Sequence, residues 1–447
     1  MGFPIKVTRK TILRALGAGS LILVGGLVLL GWGAWSAAGR LERRLTKLRQ
    51  EGHPVSILEV ARRPIPSGMN AAPIFRELAP EVESVASALE SWYPKQGYPT
   101  GSLPSLERER LEGLFAGHAS IWAVLEEAAS RPEYLPRVDV SVSPTLSNST
   151  YLNEVALHRL LNRVLRARTA LLVSQGQNDE ALKVQVLALK LSRLVQRAPF
   201  LMAYLTGVAC SSSAIESANQ VIRLGSISDE TRDALNIELS FHDSHDSFQL
   251  GLISERALSL SMLEELLPSG FWSVVGVKPQ LALSFLDLYD RHLKNLSQPF
   301  YQLAPKGPSV RQASLLMNPF STLPKLLDPA LSAGRSASER LRALSRSLRV
   351  LNAIESRDSF DGNQAIPSVE QLGLQGDVGR DPFDGKPLRI QRKTNGWLVY
   401  SVGPDRVDDG GLLEKGKDVG VGPADLELEA HATTLSEQAT LSARKLR

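Results

Sequence analysis

A single cysteine, Cys210, stands in 447 residues, so the chain has no internal disulfide, and cysteine usage leaves its compartment open. The common catalytic signatures are missing too. No G-x-S-x-G, H-E-x-x-H, Walker loop, dinucleotide fingerprint or C-x-x-C occurs, so the usual nucleophile, zinc and phosphate arrangements are unsupported and an enzyme becomes a weaker expectation. There is little charge bias, with 51 Lys and Arg against 47 Asp and Glu. Residues 1–51 alone hold nine Lys and Arg and two Asp and Glu, a surplus of seven, which leaves the rest of the chain at −3. The pI near 9.1 therefore belongs to one short segment and is no argument for nucleic acid as a partner. With 43% hydrophobic residues the chain has ample material for a packed core and is long enough for two or three domains.

The most conspicuous stretch is Ala15 to Gly39, twenty-five residues without a charge between Arg14 and Arg40. At ~1.5 Å per helical residue this run reaches roughly 37 Å against a hydrocarbon core of roughly 30 Å, so it is expected to cross a bilayer. Trp32 and Trp35 then fall at one interface, and the basic residues of both flanks meet head groups. Lys6, Arg9, Lys10 and Arg14 make a basic n-region before a first hydrophobic segment, the layout that sends the downstream chain across the membrane. Ser36-Ala37-Ala38 has the small residues of a cleavage site, but the run before it exceeds a signal h-region, so a retained anchor is expected.

Beyond the anchor, Leu41, Leu45 and Leu48 predict an amphipathic helix stopped by Gly52 and Pro54. Ser56 to Glu59 has capping-box spacing, and Asn70-Ala71-Ala72-Pro73 opens another helix. From Tyr151 to Leu267 the apolar spacing predicts a helical hairpin turning at Gly176, then further helices. The small residues Gly176, Ala181 and Ala188 resemble tetratricopeptide spacing, yet no second copy follows. The uncharged run Ala198 to Ile215 carries Thr206 and Ser211 to Ser213, so a buried helix is expected there rather than a second span. Leu341, Leu344, Leu348, Leu351 and Ile354 form the face of a last helix whose arginines, Arg340, Arg342, Arg346 and Arg349, are read as a solvated surface.

The texture then changes to Asp381-Pro382-Phe383-Asp384-Gly385-Lys386-Pro387, followed by strand-like Leu388 to Ile390, Asn395-Gly396, and Trp397 to Asp405. Turn, strand, Asn-Gly hairpin and strand are expected. Helix, DP-x-x-G-x-P and x-x-Y-S-x-G-x-D in this order, from about Arg340 to Gly411, resemble the globular end of the major pseudopilin of type II secretion. The whole chain is similar to bacterial single-span membrane proteins that join a helical domain to such a module. A pseudopilin differs in carrying its hydrophobic helix at the front of that module behind a prepilin-peptidase site, which MGFPIKVTRK lacks. The resemblance implies calcium at Asp405 and Asp408 in the loop after the Tyr-Ser strand, although the family's acidic run is replaced here by Leu412, Leu413, Glu414 and Lys415.

The expected fold is mainly α: a transmembrane helix within 1–39, a hairpin-type helical domain over 40–335, a pseudopilin-like α+β module over 336–411 with an antiparallel hairpin, and a linker and flexible tail over 412–447. Its expected place is the bacterial inner membrane, with the bulk extracytoplasmic, residues 15–39 in the lipid bilayer, and protein partners near secretion or pilus-like machinery. The alternative is a membrane-tethered metal-dependent hydrolase built on His242-Asp243-Ser244-His245-Asp246, whose histidines lie at i and i+3. Against it stands the reading of that stretch as a polar surface turn that tolerates substitution.

Overall fold

The computed structural model describes residues 32–61, 65–66, 68–90, 103–137, 144–225, 227–268, 270, 272, 276–303, 322–357, 369, 371–414 and 417–423, with side chains from 153 and 323 onward in the two helices that begin at 144 and 322. Most of the expected span, 15–31, lies outside the described residues, as do His431 and most of the tail. Among the described residues no helix is long and apolar enough to cross a membrane. The described chain opens as helix α1 (residues 32–50), which continues the uncharged run into the basic segment. It stops where expected: the Gly52 and His53 amides return to the carbonyls of Arg49 and Leu48 at 3.0 and 2.9 Å, closing the last turn.

Ala34 and Ala37 are buried, whereas Trp32 and Trp35 are 68% and 72% exposed. The alanine face lies on Gly276, whose φ of 78° and lack of a side chain both matter, since a Cβ there would come within 2.7 Å of the Ala34 backbone. One turn on, Leu41, Leu45 and Leu48 pack with Val55, Leu260 and Leu286. This helix is thus fixed to the body from Ala34 to Leu48, about four turns.

The body is an array of antiparallel and crossing helices: α2 (Ile57–Ala61), α3 (Ala72–Ala88), α4 (Ser105–Ala116), α5 (Ser120–Ser130), α6 (Pro144–Ser174), α7 (Asn178–Gln196), α8 (Leu201–Ile222), α9 (Asp229–Phe241), α10 (Asp246–Leu266), α11 (Val277–Leu296) and α12 (Thr322–Glu355). The expected caps are present. Ser56 accepts from the Glu59 amide at 3.3 Å while the Glu59 carboxylate accepts from the Val55 amide at 2.9 Å. Asn70 does double duty, its Oδ1 accepting from the Ala72 amide at the start of α3 and from the Leu135 amide, so it ties that helix to the segment after α5. The hairpin of α6 and α7 turns at Gly176, and α8 is the buried helix its serines and threonine imply, packed on α6, α7, α10 and α12. Gly207 lets α8 lie close on α7: a Cβ there would meet Gln196 and the Ser192 carbonyl inside 3 Å.

The C-terminal unit is a three-stranded antiparallel sheet in the order β1 (Arg389–Lys393), β2 (Gly396–Ser401), β3 (Val419–Val421). The β1–β2 hairpin closes with Lys393 opposite Gly396 and Arg389 opposite Tyr400. β3 comes from 412–447, the stretch expected to be linker and tail. Three residues interrupted by Gly420 are too few to show a period in sequence, but Val419 and Val421 are both buried against β2. The 381–385 turn is organised by Asp381, which is fully buried and accepts from the Phe383 amide at 2.8 Å, the Ser401 hydroxyl at 2.7 Å, the Val402 amide at 2.9 Å and Arg389 at 2.8 Å. This explains why an Asp opens the DPFDG stretch. Asp381→Asn should cost about 2 kcal/mol, because either orientation of the amide turns an N–H toward a donor. An unchanged denaturation midpoint would refute that role.

Two expectations give way at α12. The boundary read at 335/336 falls inside this helix, and the apolar cluster that starts at Ile57 runs through α7 and α8 to Leu348, Trp397, Val399 and Val421. Arg223 at the end of α8 donates to the Trp397 carbonyl at 2.6 Å, and Asn219 to the Gly422 carbonyl at 2.9 Å. The C-terminal unit therefore shares the core of 151–267, beside a small cluster of its own made by Ala343, Phe383, Val402 and Val419. Nor do the arginines of α12 form a solvated face: no residue from 334 to 352 is exposed, and the Arg346 side chain is 4% accessible. Asp243, the carboxylate that Arg342 and Arg346 share, lies about a hundred residues away in sequence, beyond the reach of a helical-periodicity argument.

Candidate functional site

The face of α1 beside its leucines carries Arg40, Arg43, Arg44 and Lys47, at i, i+3, i+4 and i+7, so four cations share one stripe. That stripe forms one wall of an open cleft of about 530 Å³, completed by Leu48, Glu51, His53, Arg256 from α10, and Asp290 and Leu293 from α11. Five cations face two carboxylates. Arg44 bridges α1 to α11, with Nη1 2.5 Å from Asp287 and Nη2 2.6 Å from Asp290. Arg40 donates to Ser36 at 2.6 Å, one turn back.

Arg256 differs from the rest. It is 1% exposed, its Nη1 lies 3.4 Å from Asp290, and its Nε and Nη2 have no acceptor among the described residues. Burial lowers the guanidinium from its ordinary range and Asp290 opposes the shift. Arginine keeps its charge even so, which leaves a buried cation whose hydrogen bonds are incomplete.

A second polar cluster lies where the turn between α9 and α10 meets α12. Asp243 accepts from Arg342 at 2.9 Å and from Arg346 at 2.8 Å. Glu339, fully buried, is 2.7 Å from Arg335 and 2.9 Å from Arg342. Burial pushes the Glu339 carboxyl up, but contact with His245, Arg335 and Arg342 outweighs it and holds the group below its ordinary range. His245 has Nε2 2.8 Å from the Arg342 guanidinium and Nδ1 3.3 Å from the Ser338 hydroxyl. The same Nε2 lies 3.3 Å from Glu339 Oε1, so the ring stands between a guanidinium and a carboxylate. Burial holds His245 below its usual value, and Glu339 opposes the shift.

The candidate metal histidines do not converge. His242 is 2% exposed and turns toward α7 and α8, with Nδ1 3.2 Å from Gln196 and 3.5 Å from Ser211, while His245 faces α12. The polar surface turn expected here is a correction as well. Its side chains are drawn inward because Asp243 and His245 meet the arginines and glutamate of α12. Asp405 accepts from the Val407 amide at 3.1 Å, a local turn bond. Asp408 accepts from the Tyr400 hydroxyl at 3.1 Å and the Gly410 amide at 3.0 Å. Among the described residues no three His, Cys, Asp or Glu side chains are grouped to hold a metal ion. His118 and His292 pair with Glu81 and Asp328, and buried His158 with the Tyr134 hydroxyl at 2.8 Å.

Sequence reasoning misses Arg256, Asp287 and Asp290. An arginine among leucines and serines on α10 is the one available signal. Searched against family models, curated proteins and solved structures, the chain matches none of them.

Proposed function

We propose that the protein is a single-span scaffold of the bacterial inner membrane, whose helical body and small α+β unit bind other proteins outside the cytoplasm. The observation that carries this reading is the join between anchor and body. Residues 32–39 of the uncharged run belong to α1, and α1 is held to the body by Ala34, Ala37, Leu48 and the Arg44 ion pairs. A docked helix, in place of a loose linker, fixes how the body stands relative to a bilayer. Trp32 and Trp35, exposed at the end of the run with ring centroids 5.5 Å apart, suit a membrane interface. Resemblance of 340–411 to the major pseudopilin supports partners near secretion or pilus-like machinery, and a long helix laid against a small antiparallel sheet is compatible with it.

A reporter active only in the cytoplasm, joined after Pro423 so that β3 is kept, should stay silent, and the full chain should resist alkaline extraction from membranes. Strong reporter signal would overturn the orientation. Release by alkali would overturn the anchor.

A further inference from the structure

We propose that the cleft between α1, α10 and α11 binds a phosphate-bearing anion, with Arg256 at its floor and Arg40, Arg43 and Lys47 at its rim. Three observations point there. The lining has a surplus of three positive charges, and these cations converge from two separate helices, α1 and α10. A merely solvated basic stripe would not recruit a buried arginine from another helix.

The second observation is Arg256 itself. A guanidinium that is 1% exposed with two nitrogens lacking acceptors is costly to keep, since a buried unsatisfied donor loses its hydration without compensation. Asp290 is 3.4 Å away and is shared with Arg44, so it does not saturate the donors. Oxygen acceptors from outside the chain would complete them. A phosphate, with several acceptor oxygens and a fork geometry that suits guanidinium, matches this donor set better than a carboxylate does.

The third observation is size and place. About 530 Å³ leaves room for a phosphate with a body attached. Arg40 directly follows Gly39, the last residue of the uncharged run. A bilayer spanned by that run brings its head-group phosphates to the level of the cleft. This choice of a lipid source rests on the membrane-anchored reading. Recognition of phosphate does not, and a free phosphate ester offers the same chemistry.

The test uses the full chain in nonionic detergent, titrated calorimetrically with inorganic phosphate, with a short-chain phosphatidylglycerol and with the matching phosphatidylcholine. Saturable binding of phosphate, of phosphatidylglycerol or of both is expected, weakened at least tenfold in the triple variant Arg40→Gln, Arg43→Gln, Lys47→Gln. These three side chains are exposed at the rim, so their loss leaves packing intact. Arg256→Gln should weaken binding by a similar factor, and a circular-dichroism melt verifies its fold. Binding of phosphatidylglycerol without inorganic phosphate identifies a lipid head group; binding of inorganic phosphate without preference for the lipid identifies a free ester. Binding of neither, equal binding of the phosphatidylcholine and phosphatidylglycerol lipids without inorganic phosphate, or undiminished binding in the triple variant overturns the proposal. Because the inorganic phosphate arm needs no bilayer, failure of the anchor reading in fractionation leaves its result standing.

Discussion

Glu339→Ala is expected to lower the unfolding free energy by about 3–5 kcal/mol, the range for breaking a buried ion pair by removing one partner. The carboxylate is fully buried and holds Arg335 and Arg342 at 2.7 and 2.9 Å. Once it is gone, two guanidinium groups remain inside α12 with less to neutralise them, and Arg342 still has to reach Asp243. Denaturant unfolding of the full chain in detergent reads the loss. Glu126→Ala, at an exposed position of α5, is the reference and should fall within about 0.5 kcal/mol of wild type. Equal midpoints for the two variants would mean that Glu339 is not holding the helix in place.

Acid should destabilise the body well before its surface carboxylates protonate. Burial pulls the His158 and His242 imidazoles down to about 3 from an ordinary 6.5. For a histidine whose folded pKa is depressed, the unfolded chain takes up the proton first as pH falls. The stabilising contribution is therefore full above pH 6.5 and is lost progressively between 6.5 and 3. At ~1.4 kcal/mol per unit, each histidine forfeits about 2 kcal/mol by pH 5, about 4 kcal/mol together. His245, also held down by burial, adds in the same direction. Glu216, Glu238 and Glu255, pushed up by burial, act in the opposite sense, gaining as pH falls.

A paired variant separates these contributions. Tyr134→Phe with His158→Leu removes both partners of a buried hydrogen bond and leaves no orphan. The difference in unfolding free energy between pH 7.5 and pH 5 should then shrink by about 2 kcal/mol relative to wild type. An unchanged difference would show that His158 titrates normally in the folded chain.

Local chemistry is legible in the sequence and distant pairing is not. The Ser56 cap, the start of α3 at Asn70, the α6–α7 turn at Gly176, the burial of α8 and the β1–β2 hairpin each rest on residues within a few positions of one another. Propensity and periodicity reach that far. The ion pair of Arg44 with Asp287 spans 243 residues, and that of Arg346 with Asp243 spans 103. A basic residue on a helix looks the same in sequence whether solvent or a remote carboxylate faces it, so the arginines of α12 read as surface. The same blindness conceals His242, whose polar neighbours in sequence suggest solvent while Gln196 and Ser211 enclose it. It also conceals Arg256, which sets a buried cation beside the basic stripe of α1.

The interlocking of α8 with β2 and β3 has a temporal consequence. Asn219 waits for Gly422, 203 residues further along, before its side chain finds the carbonyl it is bound to. At a synthesis rate of ~5–20 residues per second that is an interval of about 10–40 s. For the first part of that interval the ribosome has released α8 but not α12, which packs along it, and for all of it the strands that rest on α12 are missing. The nascent body is therefore sticky for much of its own translation, and an escort that shields it until β3 emerges would serve this chain more than one that binds only its front.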